Sequence, residues 1–191
     1  MELNYTTFNL KAKDGLLVTR STGRKIKNEI CNVLDWEFEY TVVVVDFQGV
    51  KFIDASCADE IVVRVMARIE AGEFPDRFVI FKNIAEQHNE NISMALAVAE
   101  KMVISYHDRK WAMLGSMNEG YRSALLKVVQ KKEITARELQ IEMDYKAVNE
   151  ASTKLSKLYD KGLIAREPFR EAVRGGGRQF RYISLLRDIK D

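Results

Sequence analysis

The chain has 191 residues, 47% of them hydrophobic, which suffices for one large or two small packed units and excludes a disordered protein. A net charge of +2 hides an asymmetry: residues 1–115 carry 14 Lys and Arg against 17 Asp and Glu, and residues 116–191 carry 16 against 11. A basic module therefore follows an acidic one. The opening Met1-Glu2-Leu3-Asn4-Tyr5 lacks the basic start and apolar core of a signal peptide, and no apolar run reaches the length of a membrane span. The expectation is a cytoplasmic protein with no membrane partner.

Along the chain, Arg24 to Leu34 places Ile26, Ile30, Val33 and Leu34 at helical spacing. Tyr40-Thr41-Val42-Val43-Val44-Val45-Asp46-Phe47 is β-branched with too little alternation for a wet face, so it predicts a central strand covered on both sides. Ala58 to Glu70, with Ile61, Val62, Val65, Met66 and Ile69, predicts a second helix. Arg77 to Phe81 predicts a second buried strand, and Ile84 to Met102 contains a third helix. Tyr106 to Lys110 is a turn between Met102–Ser105 and Trp111–Leu114, a hairpin that closes the first domain. Cys31 and Cys57 both lie in apolar-periodic surroundings and read as reduced core residues.

Gly115-Ser116-Met117-Asn118-Glu119-Gly120 is the linker. Tyr121 to Lys131, with Leu125, Leu126, Val128 and Val129, predicts the next helix. Thr135-Ala136-Arg137-Glu138 is a capping-box pattern opening a short helix that turns Leu139 and Met143 inward. After a break at Asp144-Tyr145, Lys146 to Lys161 carries one apolar stripe of Val148, Ala151, Leu155 and Leu158, and Gly162 stops it. Two strands, Leu163–Arg166 and Gln179–Leu185, are joined by a stretch whose tip is Arg174-Gly175-Gly176-Gly177-Arg178. From Lys161 to Arg187 seven basic residues stand against Glu167 and Glu171, the excess that phosphate contacts require.

Two segments carry resemblances. Asp46-Phe47-Gln48-Gly49-Val50-Lys51-Phe52-Ile53-Asp54-Ala55-Ser56-Cys57-Ala58-Asp59-Glu60, with Ser21-Thr22-Gly23-Arg24-Lys25-Ile26 before it, resembles the signature of STAS domains. These are the fold of bacterial anti-sigma-factor antagonists, and the pattern is closer still to their STAS-like relatives of unassigned function. The resemblance implies a protein partner at the loop bearing Asp54, Ser56 and Asp59. In antagonists the serine directly after the Asp is phosphorylated; here that position is Ala55, so no phosphate switch is expected at this loop. Chemistry alone gives the loop another role, since Asp54 and its neighbours can accept bonds from a helix's first N–H groups, with Asp59 and Glu60 in its first turn.

Lys154-Leu155-Ser156-Lys157-Leu158-Tyr159-Asp160-Lys161-Gly162-Leu163-Ile164 is similar to the recognition helix and first wing strand of bacterial winged-helix regulators, the group that includes the multiple-antibiotic-resistance repressors. The expected fold class is α/β (STAS-like, mixed sheet with helices) over residues 1–115, plus a C-terminal winged helix-turn-helix domain over residues 116–191. The resemblance implies binding to duplex DNA, with Lys146, Asn149, Glu150, Thr153, Lys154 and Lys157 on the exposed side of the helix and Arg174, Arg178 and Arg181 on the wing. A homodimer is expected, through the STAS-like domain or the Tyr121 helix.

Enzyme chemistry has little to stand on. His88 and His107 lack partners at metal-ligand spacing and read as surface or capping residues, and no nucleotide-binding or nucleophile motif is present. Asp59 and Glu60 are adjacent and point about 100° apart on a helix, which is unsuited to a shared acid–base task. Neither metal nor cofactor is expected. The rival reading is a protein–protein adaptor in which both domains dock proteins; RNA binding would want stacking platforms, whereas Tyr145, Phe169, Phe180 and Tyr182 fit the core or wing better.

Overall fold

The computed structural model describes residues 2–169 and 179–189; Arg174 and Arg178 lie outside them. The chain is mixed α/β and divides into two compact units, Asn4–Met117 and Asn118–Lys190.

The first unit is built on a five-stranded sheet of β1 (Asn4–Asn9), β3 (Thr41–Asp46), β5 (Arg77–Lys82), β6 (Met102–His107) and β7 (Lys110–Gly115), in that order. The first four are parallel, and β7 runs antiparallel to β6. A separate two-stranded piece pairs β2 (Leu16–Leu17) with β4 (Phe52–Ile53). The helices are α1 (Arg20–Trp36), α2 (Ala55–Ala58), α3 (Arg64–Glu70) and α4 (Glu86–Val98), with a π-helical turn, Asp59–Val63, joining α2 to α3.

Burial follows the sequence pattern. Every residue of β3 is buried, as a β-branched run without alternation requires. One cluster unites Val43, Val45, Val79, Phe81 and Val103 of the sheet with Ile30 and Leu34 of α1, Met66 of α3 and Ile92 and Leu96 of α4. The alternate residues Val42, Val44, Phe78, Ile80 and Ile104 are buried as well. The hairpin between β6 and β7 turns on Asp108 and Arg109, both at positive φ as a type I′ turn demands. The third predicted helix lies within Ile84 to Met102 as Glu86–Val98; Ala99 caps it and the chain from Met102 is strand.

Three strands of this unit went unread. The β1 segment Asn4-Tyr5-Thr6-Thr7-Phe8-Asn9 is a sheet edge with mostly polar residues, and β2 and β4 are two residues each. Such short or polar stretches carry no periodicity strong enough to count.

The second unit runs α5 (Glu119–Lys131), β8 (Glu133–Thr135), α6 (Ala136–Glu142), α7 (Val148–Asp160), β9 (Ile164–Phe169) and β10 (Gln179–Ser184). Its strands form an antiparallel sheet in the order β8-β10-β9. Leu125, Val128, Leu139, Ala151, Leu155, Leu158, Ile164 and Ile183 are among its buried apolar residues. Two expectations need correction: Val148 stands 37% exposed at the start of α7, and Met143 caps α6 half-buried.

Candidate nucleic-acid interface

The geometry of α6 and α7 is fixed by local bonds. Thr135 Oγ1 accepts the Glu138 N–H at 3.3 Å while Glu138 Oε2 accepts the Thr135 N–H at 2.7 Å, so both orphan donors are satisfied reciprocally. The α6 end reverses through Asp144, at φ 50, and the Tyr145 N–H returns to the Gln140 carbonyl at 3.0 Å. Gly162, at φ 68, ends α7: its N–H reaches the Tyr159 carbonyl at 2.8 Å and the Leu163 N–H the Leu158 carbonyl at 3.0 Å. Only a residue tolerant of positive φ closes a helix this way.

With Ala151, Leu155 and Leu158 inward, α7 turns Asn149, Thr153 and Lys157 outward at four-residue spacing, and Lys146 is exposed just before it. The Thr153 hydroxyl donates to the Asn149 backbone carbonyl at 2.8 Å. Lys154 is different. Its ammonium sits 2.9 Å from Glu150 and 4.6 Å from the centre of the Tyr145 ring, and the bond to Glu150 raises its pKa.

The strands behind α7 hold their arginines tightly. Arg181 lies 3.4 Å from Glu133 and 3.9 Å from Glu167, with its guanidinium 4.4 Å from the Phe169 ring centre. Arg166 is sandwiched between Tyr159 and Phe180, 3.9 and 4.5 Å from the two centres. These contacts give Phe169 and Phe180 structural work in the sheet. Of the wing candidates, Arg181 alone falls within the described residues, and its charge is already balanced by two carboxylates.

The loop before α2 is equally occupied. Asp54 caps α2, its Oδ1 accepting the Cys57 N–H at 2.7 Å, while its Oδ2 accepts the Thr19 N–H at 2.8 Å. It thus ties the start of α1 to the start of α2. Ser56 is half-buried in the first turn of α2. Asp59 meets Arg20 at 3.0 Å and Arg64 at 3.4 Å. Its neighbour Glu60 is buried and takes Arg20 and Arg24 at 3.3 Å each and Lys27 at 3.0 Å. The two adjacent carboxylates share one cation, since Arg20 Nη1 reaches both.

Glu60 was missed as a hub, yet a signal was present: Arg20, Arg24 and Lys27 are spaced four and three apart, one helix face of cations that calls for a buried anion. Burial raises the pKa of the Glu60 carboxyl, but bonds from Lys27 and Arg24 outweigh that effect and hold it below the usual range.

Both cysteines are free and buried. Burial, then the nearby Asp54 carboxylate, pushes the Cys57 thiol up to about 11, and burial also raises Cys31 despite Arg68. Neither thiol is therefore a ready nucleophile at neutral pH. His88 is wholly buried and accepts the Ala85 N–H through Nδ1 at 3.3 Å, a capping role inside the core where a surface or capping one was expected. His107, more than half exposed, bonds Asn83 at 3.0 Å through Nδ1.

No family model matches the chain, and no curated protein matches it.

Proposed function

We propose that this protein is a DNA-binding transcriptional regulator: a STAS-like unit that receives a signal or partner, followed by a winged helix-turn-helix that binds duplex DNA. The observation that carries the reading is the outward stripe Lys146, Asn149, Thr153 and Lys157 on α7, held by a capped α6 and an antiparallel three-stranded sheet. The order helix, strand, helix, helix, strand, strand is that of a winged helix, in which the second helix of the turn enters the major groove. Lysines at the two ends of the stripe suit phosphate or guanine, and Asn149 between them suits adenine. Lys154 and Arg181, each already paired, would have to exchange carboxylate for phosphate and rank below Lys146 and Lys157.

For the first unit, support comes from the mixed, mainly parallel sheet and from the Asp54–Asp59 segment that caps and opens α2. Because Ala55 stands where antagonists carry the phosphorylated serine, incubation with cell extract and ATP is expected to leave Ser56 unmodified by intact mass. A stoichiometric phosphate on Ser56 would overturn this part of the reading.

The main test is a fluorescence-anisotropy titration of the full chain against duplex DNA at two salt concentrations. Affinity is expected to fall steeply with salt, with a log–log slope of about −0.9 per phosphate neutralised. Replacing Lys146 and Lys157 together by Ala should weaken binding to all sequences and flatten the slope by about two units, whereas Asn149→Ala should chiefly relax discrimination between sites. The same titration with Arg174→Ala and Arg178→Ala reads the glycine-rich tip. Failure of the wild type to bind duplex at low salt would transfer the second unit to the adaptor reading.

A further inference from the structure

The first unit carries two surface features of opposite character on one helix. At the N-terminal end of α1 lies a groove of about 530 Å³ whose apolar lining is Leu16, Val18 and Ile26 and whose rim includes Lys11, Lys13 and Lys25. Leu16 and Val18 are 45% and 37% exposed there. Arg20, Arg24 and Lys27 on the same helix are engaged by Asp59 and Glu60, but the three rim lysines are unpaired among the described residues. Asp14 and Glu29, also in the lining, leave the rim with a positive excess.

At the other end of α1, Trp36 is 87% exposed and Phe38, two residues on, is 83% exposed. Three carboxylates, Asp35, Glu37 and Glu39, alternate with them. Two large aromatic rings standing in water need a reason, and nothing in the unit's core requires them.

The helix sets the relation between the two features. At 100° and 1.5 Å per residue, Trp36 lies about 20° round the axis from Lys25 and about 16 Å along it, so both occupy one face. Between them that face is exposed and short-chained, with Asn28, Glu29 and Asn32. It is therefore cationic and hollow at one end, anionic and aromatic at the other.

We infer that this face is a self-docking surface, in which two copies of the chain pair their α1 helices antiparallel about a two-fold axis. Trp36 and Phe38 of each copy enter the lysine-rimmed groove of the other. A parallel pairing would set lysines against lysines and carboxylates against carboxylates, whereas the antiparallel one matches opposite signs at both ends. Each aromatic ring buries about 150–250 Å². The four rings of a dimer thus supply about half of a standard interface, and the Asn and charged positions between them complete a contact of low to standard size. Its strength is on the order of micromolar.

Sedimentation of the full chain, from low micromolar to several hundred micromolar, tests this. The wild type is expected to pass from monomer to dimer, with weaker association at high salt. Trp36→Ala with Phe38→Ala should weaken association at least roughly tenfold while leaving the thermal melt in place, since both rings are exposed and have little to lose on folding. Lys25→Glu and Glu39→Lys should each weaken the dimer, and the two together in one chain should restore it. A wild type that stays monomeric throughout, an aromatic double variant that associates as tightly as wild type, or a charge swap no tighter than either single change would each overturn the proposal. DNA binding is a separate matter: a monomer that binds duplex removes this inference alone, and a dimer that ignores duplex leaves it standing.

Discussion

Gly115→Ala is expected to lower the melting temperature of the first unit by about 10–25 °C, or to prevent its folding. Gly115 ends β7 at φ +100, a backbone conformation that L side chains rarely adopt. A Cβ there would also overlap the Lys101 carbonyl oxygen, a backbone atom that cannot swing aside, and would crowd Leu96. Conformational strain costs about 1–3 kcal/mol and overpacking a similar amount, so the two together reach about 3–5 kcal/mol. Gly72→Ala is the control. At φ +75 it shares the unfavourable backbone but has no atom within 4 Å of a new Cβ, so its loss should stay near about 1 kcal/mol. Thermal melts followed by circular dichroism compare the two; similar losses would show that overlap with Lys101 contributes nothing.

The second large effect concerns Glu60. Glu60→Gln should destabilise the protein by about 2–3 kcal/mol at neutral pH. The carboxylate is only 5% exposed and receives three cations, but Arg20 and Arg24 keep 47% and 63% of their side chains in water, which screens their share. Lys27, at 21%, loses most. The folded carboxyl titrates below its ordinary value of 4.5. Its contribution is therefore fully present above that value and is lost as pH falls through the lower, folded one. Wild type should consequently lose its advantage over Glu60→Gln on acidification, and urea melts at neutral and at acid pH measure the gap. A gap that is constant with pH would mean that Glu60 acts by shape and not by charge.

What could be read from the residues, and what could not, divides along a physical line. Local signals were legible: the Val42–Val45 run, the stripe Ile26, Ile30 and Leu34, the Thr135–Glu138 cap, the Gly162 stop and the Asp108–Arg109 turn each act within a few residues of chain. Pairings across the fold were not. Nothing near Arg181 in sequence announces Glu133, which β10 brings alongside by pairing with β8, and Lys154 loses its freedom to a Tyr145 ring placed by the α6–α7 turn. The stripe on α7 was placed correctly except at Val148, where periodicity continued past the point at which the core ended. For the same reason the Asp54 loop showed its residue types but not its second tie, to Thr19.

The order of strands in the first unit also sets an order of assembly. The β6–β7 hairpin turns on two residues and can close in about 1–10 μs. By contrast β1 must find β3 across the whole of α1, Asn4 beside Thr41, and such non-local parallel pairing comes late. Until it does, one edge of Thr41-Val42-Val43-Val44-Val45-Asp46 stands open, and a β-branched run with a bare edge is a template for pairing with another chain. Yield on refolding is thus governed by the race between Asn4–Asn9 reaching that edge and a second molecule reaching it first, and dilution favours the native strand.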